Sequence, residues 1–312
     1  MSSISSSHFP QIVYRDGEKY LWNPIERKPF AMRPEERVRL CVIEYLLLEA
    51  GWSKHRIATE SSIKIPASEH PLRADIVVFT DDLKPRILIE CKSESVKLTE
   101  QAAVQTARYN SSVNAPFLLI TNGLTDYWFR IKDNSYQQLK RSPLSTEHRL
   151  TEIRNEYSYW QQRGFCGKKS GTVVRKWLTG TLPLFWNSDL PWAQRFLDIK
   201  QKFNEMHLNH TYRIIQMSPD TRVAISFLGT APGASYLIAI LNHQQQNIGI
   251  SLTNLDMAAR GERLNTSIFS SNKTKTLDAR KELPLDFDAD NPRIIENLPG
   301  FIYRYFEKQI PF

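Results

Sequence analysis

Asp75-Ile-Val-Val-Phe79, a tight turn over 80–85, and Arg86-Ile-Leu-Ile-Glu-Cys-Lys92 read as two consecutive strands. The first is rich in β-branched residues. The second is apolar on both faces through Ile87, Leu88 and Ile89, the mark of a central strand covered on both sides. Side chains alternate along a strand, so Glu90 and Lys92 point to the same face. Adjacent strands lie about 4.8 Å apart, which lets Asp75 and Glu90 converge on one ion. Mg²⁺ takes carboxylate and water ligands at about 2.1 Å, and the backbone carbonyl of Cys91 could add a ligand because its side chain faces away.

A Glu-x-Lys pair on an exposed strand ordinarily means a solvated face. Here the run Ile87–Ile89 argues for burial, and buried charges without partners are costly. A second acid one strand away therefore favours a metal site. Phosphodiester hydrolysis needs such a set. A hard cation withdraws charge from the phosphate, and a bound water becomes a better nucleophile. Lys92 would hold or help deprotonate that water, or stabilise the developing negative charge.

Working outward, a helix begins after Pro34, where Glu35 and Glu36 suit its positive end. It runs to about Ala50 and stops at Gly51. Glu36, Leu40, Ile43 and Leu47 are spaced to share one face. A strand is expected over Thr59–Ile65, a helix over Glu100–Asn110 capped by Thr99, and strands over Pro116–Thr121 and Tyr127–Ile131. The order fits a mixed α/β sheet with helices packed on it. Residues 1–8 read as a disordered tail, and 9–32 as a Pro- and aromatic-rich stretch with short extended pieces. A polar segment with a helix at Thr146–Arg163 reads as a linker. Beyond it, a helix at Trp192–Met206 precedes strands at Arg222–Leu228, Tyr236–Asn242 and Asn247–Thr253, an antiparallel meander. The expected division is a tail over 1–19, an α/β domain over 20–135, a linker over 136–171, and an α+β domain over 172–312.

The chain has 312 residues, 41% hydrophobic and 24% charged, which is the balance of a globular protein rather than a disordered one. A net charge of +8 favours polyanionic partners, nucleic acid first. Three widely spaced cysteines, Cys41, Cys91 and Cys166, form no disulfide framework or zinc pattern. They suit a reducing compartment. The Ser-rich start lacks an apolar core, so no secretory signal and no membrane span are expected.

Four segments together resemble a known family: Arg33-Pro-Glu-Glu-Arg-Val-Arg39, Arg73-Ala-Asp-Ile-Val-Val-Phe79, Ile89-Glu-Cys-Lys92 and Gln105-Thr-Ala-Arg-Tyr109. They resemble, in order and spacing, the N-terminal nuclease domain of type I restriction enzyme R subunits. The resemblance runs from about residue 20 to 135. It implies a PD-(D/E)XK fold with Asp75, Glu90 and Lys92 as the core site. Gln105 and Tyr109 match a Gln-x-x-x-Tyr signature whose implied role is positioning DNA and the active-site strand. Their i, i+4 spacing puts both on one helical face, where they could also merely rim a core. Glu36 matches an acid that completes or orients the metal site, although Glu35 beside it also fits a simple N-terminal charge.

The resemblance implies a cytoplasmic, Mg²⁺-dependent DNA endonuclease in prokaryotic restriction or phage defence, with Mn²⁺ as a substitute metal. The competing reading is a DNA-binding or scaffold module that keeps the nuclease fold without cutting. No Gly-x-x-x-x-Gly-Lys-Ser/Thr loop occurs, and Gly164-Phe-Cys-Gly-Lys-Lys-Ser170 has the wrong spacing. A motor or specificity partner encoded separately, and a homodimer, are expected partners. His207 and His210 read as surface residues. Two basic and aromatic stretches, Lys168, Lys169, Arg175 and Lys176 with Trp177, and Tyr303, Arg304, Tyr305 and Lys308, could grip a phosphate backbone or could be solvated.

Overall fold

The computed structural model describes residues 1–59, 74–100, 115–132, 135–144, 149–199, 202–203, 206–270, 273–283, 285–287 and 293–310. It is a mixed α/β protein with several sheets and few helices. The chain forms two compact units, Met1–Leu150 and Thr151–Phe312.

The first unit opens with an antiparallel three-stranded sheet of β1 (Ile12–Arg15), β2 (Glu18–Asn23) and β3 (Lys28–Phe30). Helix α1 (Pro34–Leu48) follows, with Pro34 in its first turn. Gly51 takes a positive φ of 69° just past its end, and Trp52 N–H closes back on the Leu46 carbonyl at 2.8 Å. The main sheet then runs in the order β4 (Ile57–Thr59), β5 (Ile76–Phe79), β6 (Pro85–Cys91), β7 (Phe117–Thr121), β8 (Asp126–Lys132) and β9 (Ser135–Leu139). Only β6 and β7 pair in parallel; their neighbours pair antiparallel.

The apolar run of β6 divides between two cores, as its double-sided pattern requires. Ile87, Ile89 and Cys91 face α1 together with Ile76, Val78, Leu119 and Trp128. Leu88 faces the other way with Val77, Leu118, Ile120 and Phe129. Of the strand expected at Thr59–Ile65, only Thr59 is described, as the last residue of β4; the rest lies outside the described residues. The expected helix Glu100–Asn110, with Gln105 and Tyr109, lies almost wholly outside them too.

Residues 1–8 are not a disordered tail. Ser2 bridges Thr125, Ser3 N–H donates to the Leu124 carbonyl at 3.1 Å, and Ser3, Ser5 and His8 are buried. His8 Nε2 meets Glu49 Oε2 at 3.0 Å, its ring stands edge-on to Tyr45, and Cys41 Sγ–H donates to its carbonyl at 3.2 Å. The N-terminal segment thus packs on α1 through His8. Along the helix, Glu36, Arg37 and Glu44 are buried as well as Leu40 and Ile43.

The expected linker over 136–171 is divided. β9 extends the first sheet, while α2 (Arg149–Arg154) and α3 (Tyr157–Gln162) break the expected single helix. Tyr159, Trp160, Phe165 and Cys166 are buried in the second unit. Helix α4 (Thr172–Phe185) follows. The expected helix Trp192–Met206 is instead β10 (Ala193–Leu197), β11 (Lys202–Phe203) and β12 (Met206–His207). β10 pairs with β13 (His210–Ser218) from Ala193↔Ile214 to Leu197↔His210, and ladder pairing overrides local helical preference.

The expected meander is present as β14 (Thr221–Gly229), β15 (Ser235–His243) and β16 (Gln246–Asn254), all antiparallel. It is the centre of a seven-stranded sheet, completed after α5 (Leu255–Ala259) by β17 (Thr266–Ser270) and β18 (Thr274–Leu277). α6 (Arg293–Gln309) ends the unit. It buries Ile295, Leu298, Ile302, Tyr305 and Phe306, an i, i+3, i+4, i+7 stripe. Trp177 and Phe185 of α4 meet Phe227 of β14 at ring-centroid distances of 6.0 and 5.2 Å.

Segment 164–169 packs backbone to backbone against the β14–β15 turn. Gly229 N–H donates to the Gly164 carbonyl and Lys169 N–H to the Gly233 carbonyl, both at 2.8 Å. A Cβ on Gly229 would collide with the Cys166 carbonyl, and one on Gly167 with Gly233 and Ala234. Among the described residues, no helix is long and apolar enough to cross a membrane.

Leu119 is fully buried at the centre of β7. Leu119→Ala is expected to cost about 2–5 kcal/mol in denaturant unfolding; a loss under about 1 kcal/mol would contradict this packing. Burial also pushes the Lys19 ammonium down to about 7. Between that value and the ordinary 10.5, the unfolded chain binds a proton that the folded chain lacks, so stability rises with pH. Lys19→Met should flatten this slope, raising the melting temperature more near neutral pH than at about pH 10. Equal gains at both pH values would contradict a neutral buried amine.

Candidate active site

The β5–β6 ladder ends at the pair Ile76↔Ile89; Asp75 sits in the bend just before β5, and Glu90 is the next residue along β6. Carboxylates gathered at one strand end repel unless cations lie nearby. Each carboxylate has a cation in contact. Lys92 Nζ donates to Glu90 Oε1 at 2.6 Å. An Arg39 terminal nitrogen lies 3.0 Å from Asp75 Oδ1, and the other lies 3.2 Å from Glu36 Oε2.

The backbone completes the arrangement. Asp75 Oδ2 accepts the Cys91 N–H at 2.6 Å, which ties the acid to the end of β6. Lys92 N–H donates to the Thr121 carbonyl at 2.8 Å, continuing the parallel pairing with β7 one residue beyond the strand. The Cys91 side chain is buried in the core on the α1 side, so its carbonyl, not its thiol, belongs to the site's surroundings. Burial, followed by the charge of Asp75, pushes that thiol well above its ordinary range.

Side-chain exposure is 15% for Asp75, 17% for Glu90 and 13% for Arg39, but 37% for Lys92. The acids are therefore mostly buried while the ammonium opens to solvent. For Lys92, burial pulls the pKa down, but the Glu90 hydrogen bond and the charges of Glu90, Asp75 and Glu35 outweigh it and hold it above the usual lysine value. Lys92 is accordingly a fixed cation at neutral pH.

Of the residues singled out from the sequence, Asp75, Glu90, Lys92 and Glu36 are brought into one connected network. Arg39 is the residue that sequence reasoning left without a role. Its signal was present as a basic residue one turn beyond Glu36, at i, i+3. Gln105 and Tyr109 lie outside the described residues. Two carboxylates and a backbone carbonyl suit a hard divalent cation in donor chemistry. In this arrangement, however, the carboxylates are occupied by Arg39 and Lys92, and among the described residues no group of three or more His, Cys, Asp or Glu is gathered as a metal cluster.

The other sequence candidates have structural roles. His210 is buried with its ring 4.4 Å from Phe165, contrary to the expected surface position, and His207 is half-buried on β12. Trp177 is buried between Phe227 and Phe287, so it offers no free face for a base. Arg175 folds back on the Ser170 and Lys168 carbonyls, while Lys168, Lys169 and Lys176 are exposed. Tyr305 is buried, and Lys308 pairs with Glu282 at 2.7 Å.

Glu90→Gln removes the negative charge that raises the Lys92 pKa, leaving only an amide oxygen as acceptor. That pKa should fall from its raised position, as read by a lysine ¹³Cε titration. A pKa that stays raised would show that Glu90 is not its main partner.

No curated protein matches the chain. Residues 34–143, which contain α1, the six-stranded sheet and the network of Glu36, Arg39, Asp75, Glu90 and Lys92, match the family described as type I restriction enzyme R protein N terminus.

Proposed function

We propose that the first unit is a PD-(D/E)XK nuclease module that hydrolyses DNA phosphodiester bonds with Mg²⁺, within a restriction or phage-defence system. The observation that carries this reading is that Asp75, bound to the Cys91 N–H, stands beside the Glu90–Lys92 pair at the end of β6. Two mostly buried carboxylates gathered there are a cost that a divalent cation would offset by using both. The family match over 34–143 supports a restriction context.

Asp75, Glu90 and the Cys91 carbonyl would hold the ion, with Mn²⁺ able to replace Mg²⁺. Bound there, it would supply Lewis-acid polarisation of a phosphate oxygen. The chain's own residues do the rest. Cys91 N–H fixes the rotamer of Asp75. Glu90 holds Lys92, and both lie on the face where a sugar–phosphate backbone would approach. Lys92 would orient the attacking water and neutralise charge developing on the phosphate. Glu36 acts at one remove, by holding Arg39 against Asp75. The proposal gives Gln105 and Tyr109 the DNA-positioning role implied by the resemblance. A homodimer, or subunits supplying a motor or target specificity, would be its partners.

One observation favours a second reading. The carboxylates already carry internal cations, an arrangement that also suits a non-cleaving DNA-binding module. Incubation of the full chain with plasmid, linear duplex, single-stranded DNA and RNA, in Mg²⁺, Mn²⁺ or EDTA, separates the two. Cutting of DNA that EDTA abolishes is expected. Lys92→Met should lower the rate by about 100-fold or more while circular dichroism and melting stay near wild type. Retardation of DNA without cutting would favour the binding module. Cutting by Lys92→Met at the wild-type rate would remove Lys92 from the mechanism.

A further inference from the structure

The Arg39 guanidinium is 13% exposed and bridges two acids, Asp75 at 3.0 Å and Glu36 at 3.2 Å. Asp75 belongs to the proposed metal site, and Glu36 stands behind it through Arg39. Asp75 Oδ2 accepts the Cys91 N–H, and Arg39 lies on the other oxygen, Oδ1. A guanidinium cannot lose its proton in a protein, and its planar fork is suited to holding carboxylates. It therefore remains a cation wherever it sits. We propose that Arg39 is an internal stand-in for the divalent ion. It neutralises Asp75 and Glu36 in the metal-free protein, and metal binding displaces it from Asp75 Oδ1. This rests on the metal-dependent reading above.

The alternative is a purely positioning arginine that holds Asp75 ready to ligate. The two roles predict opposite signs. A stand-in competes with the metal, so its removal tightens metal binding. A positioner assists the metal, so its removal weakens binding. Loss of a nearby positive charge favours any cation in a general way, and Arg37 provides the control. It lies on the same helix and is similarly buried, but faces Glu94 at 3.6 Å rather than Asp75.

The test titrates Mn²⁺ into the full-length chain without nucleic acid, reading free Mn²⁺ by electron paramagnetic resonance. Arg39→Gln should bind Mn²⁺ about tenfold more tightly than wild type, and Arg37→Gln within about twofold of it. Unchanged or weaker binding by Arg39→Gln overturns the stand-in while leaving the nuclease reading intact, as does equal tightening by both variants. Wild type that binds no Mn²⁺ overturns the nuclease reading and the stand-in with it. If Arg39→Gln does not fold, the wild-type arginine Nε–Hε signals decide. The signal missing from Arg39→Lys should move as Mg²⁺ is added. A signal that stays in place rejects displacement.

Discussion

The candidate site of the first unit depends on two carboxylates, Asp75 and Glu90, gathered where β6 ends. Each is mostly buried and needs positive charge nearby to offset that burial. The fold supplies it from two directions. Lys92 arises from the same strand segment, two residues beyond Glu90, and Arg39 arrives from a helix. The site is in this sense a balanced charge cluster at the end of a sheet. Removing Arg39, the more buried of the two cations, would take the positive charge from beside Asp75 and Glu36, which costs more than the original pair gains.

The helical contribution explains an otherwise costly feature of α1. A helix against a sheet normally leaves one side for water, yet here the N-terminal segment, through His8 and Phe9, and strand β2, through Leu21, enclose the remaining side. Enclosure fixes the azimuth of the helix. Glu36 and Arg39 can then reach the sheet's end with little freedom to swing elsewhere. Packing of residues once expected to be disordered thus bears directly on how firmly the acids are held.

Legibility in the sequence followed the strength of periodic signals. Strands β5, β6, β7 and β8 declared themselves through short β-branched or apolar runs bounded by turns, and the observed bounds differ by a residue. Alternation alone placed Glu90 and Lys92 on one face. The tail was misread because its serines carry no hydrophobic signal; they are held by backbone bonds to the β7–β8 turn. Segment 192–206 was misread because Trp192, Phe196 and Leu197 suit a helix as well as a strand, and only the distant partner β13 decides. α4 was obscured by Gly180 and Pro183, which argue against a helix locally. Arg39 went unassigned because it follows Arg33 and Arg37 in a charged stretch, with no spacing that distinguishes it from a solvent-facing arginine.

Polar, glycine-bearing stretches between elements usually tolerate added residues. The stretch from Gly164 to Lys169 has that composition and the opposite character. Its main chain lies against the β14–β15 turn with no side chain between them at Gly167 and Gly229. Two strings of peptide groups far apart in the chain must meet in a single alignment. The second unit therefore completes itself through a long-range docking event rather than a local one, a feature that slows folding. A tag or duplicated residue placed there would reach the sheet's interior as a wedge, despite a sequence that advertises an accommodating surface loop.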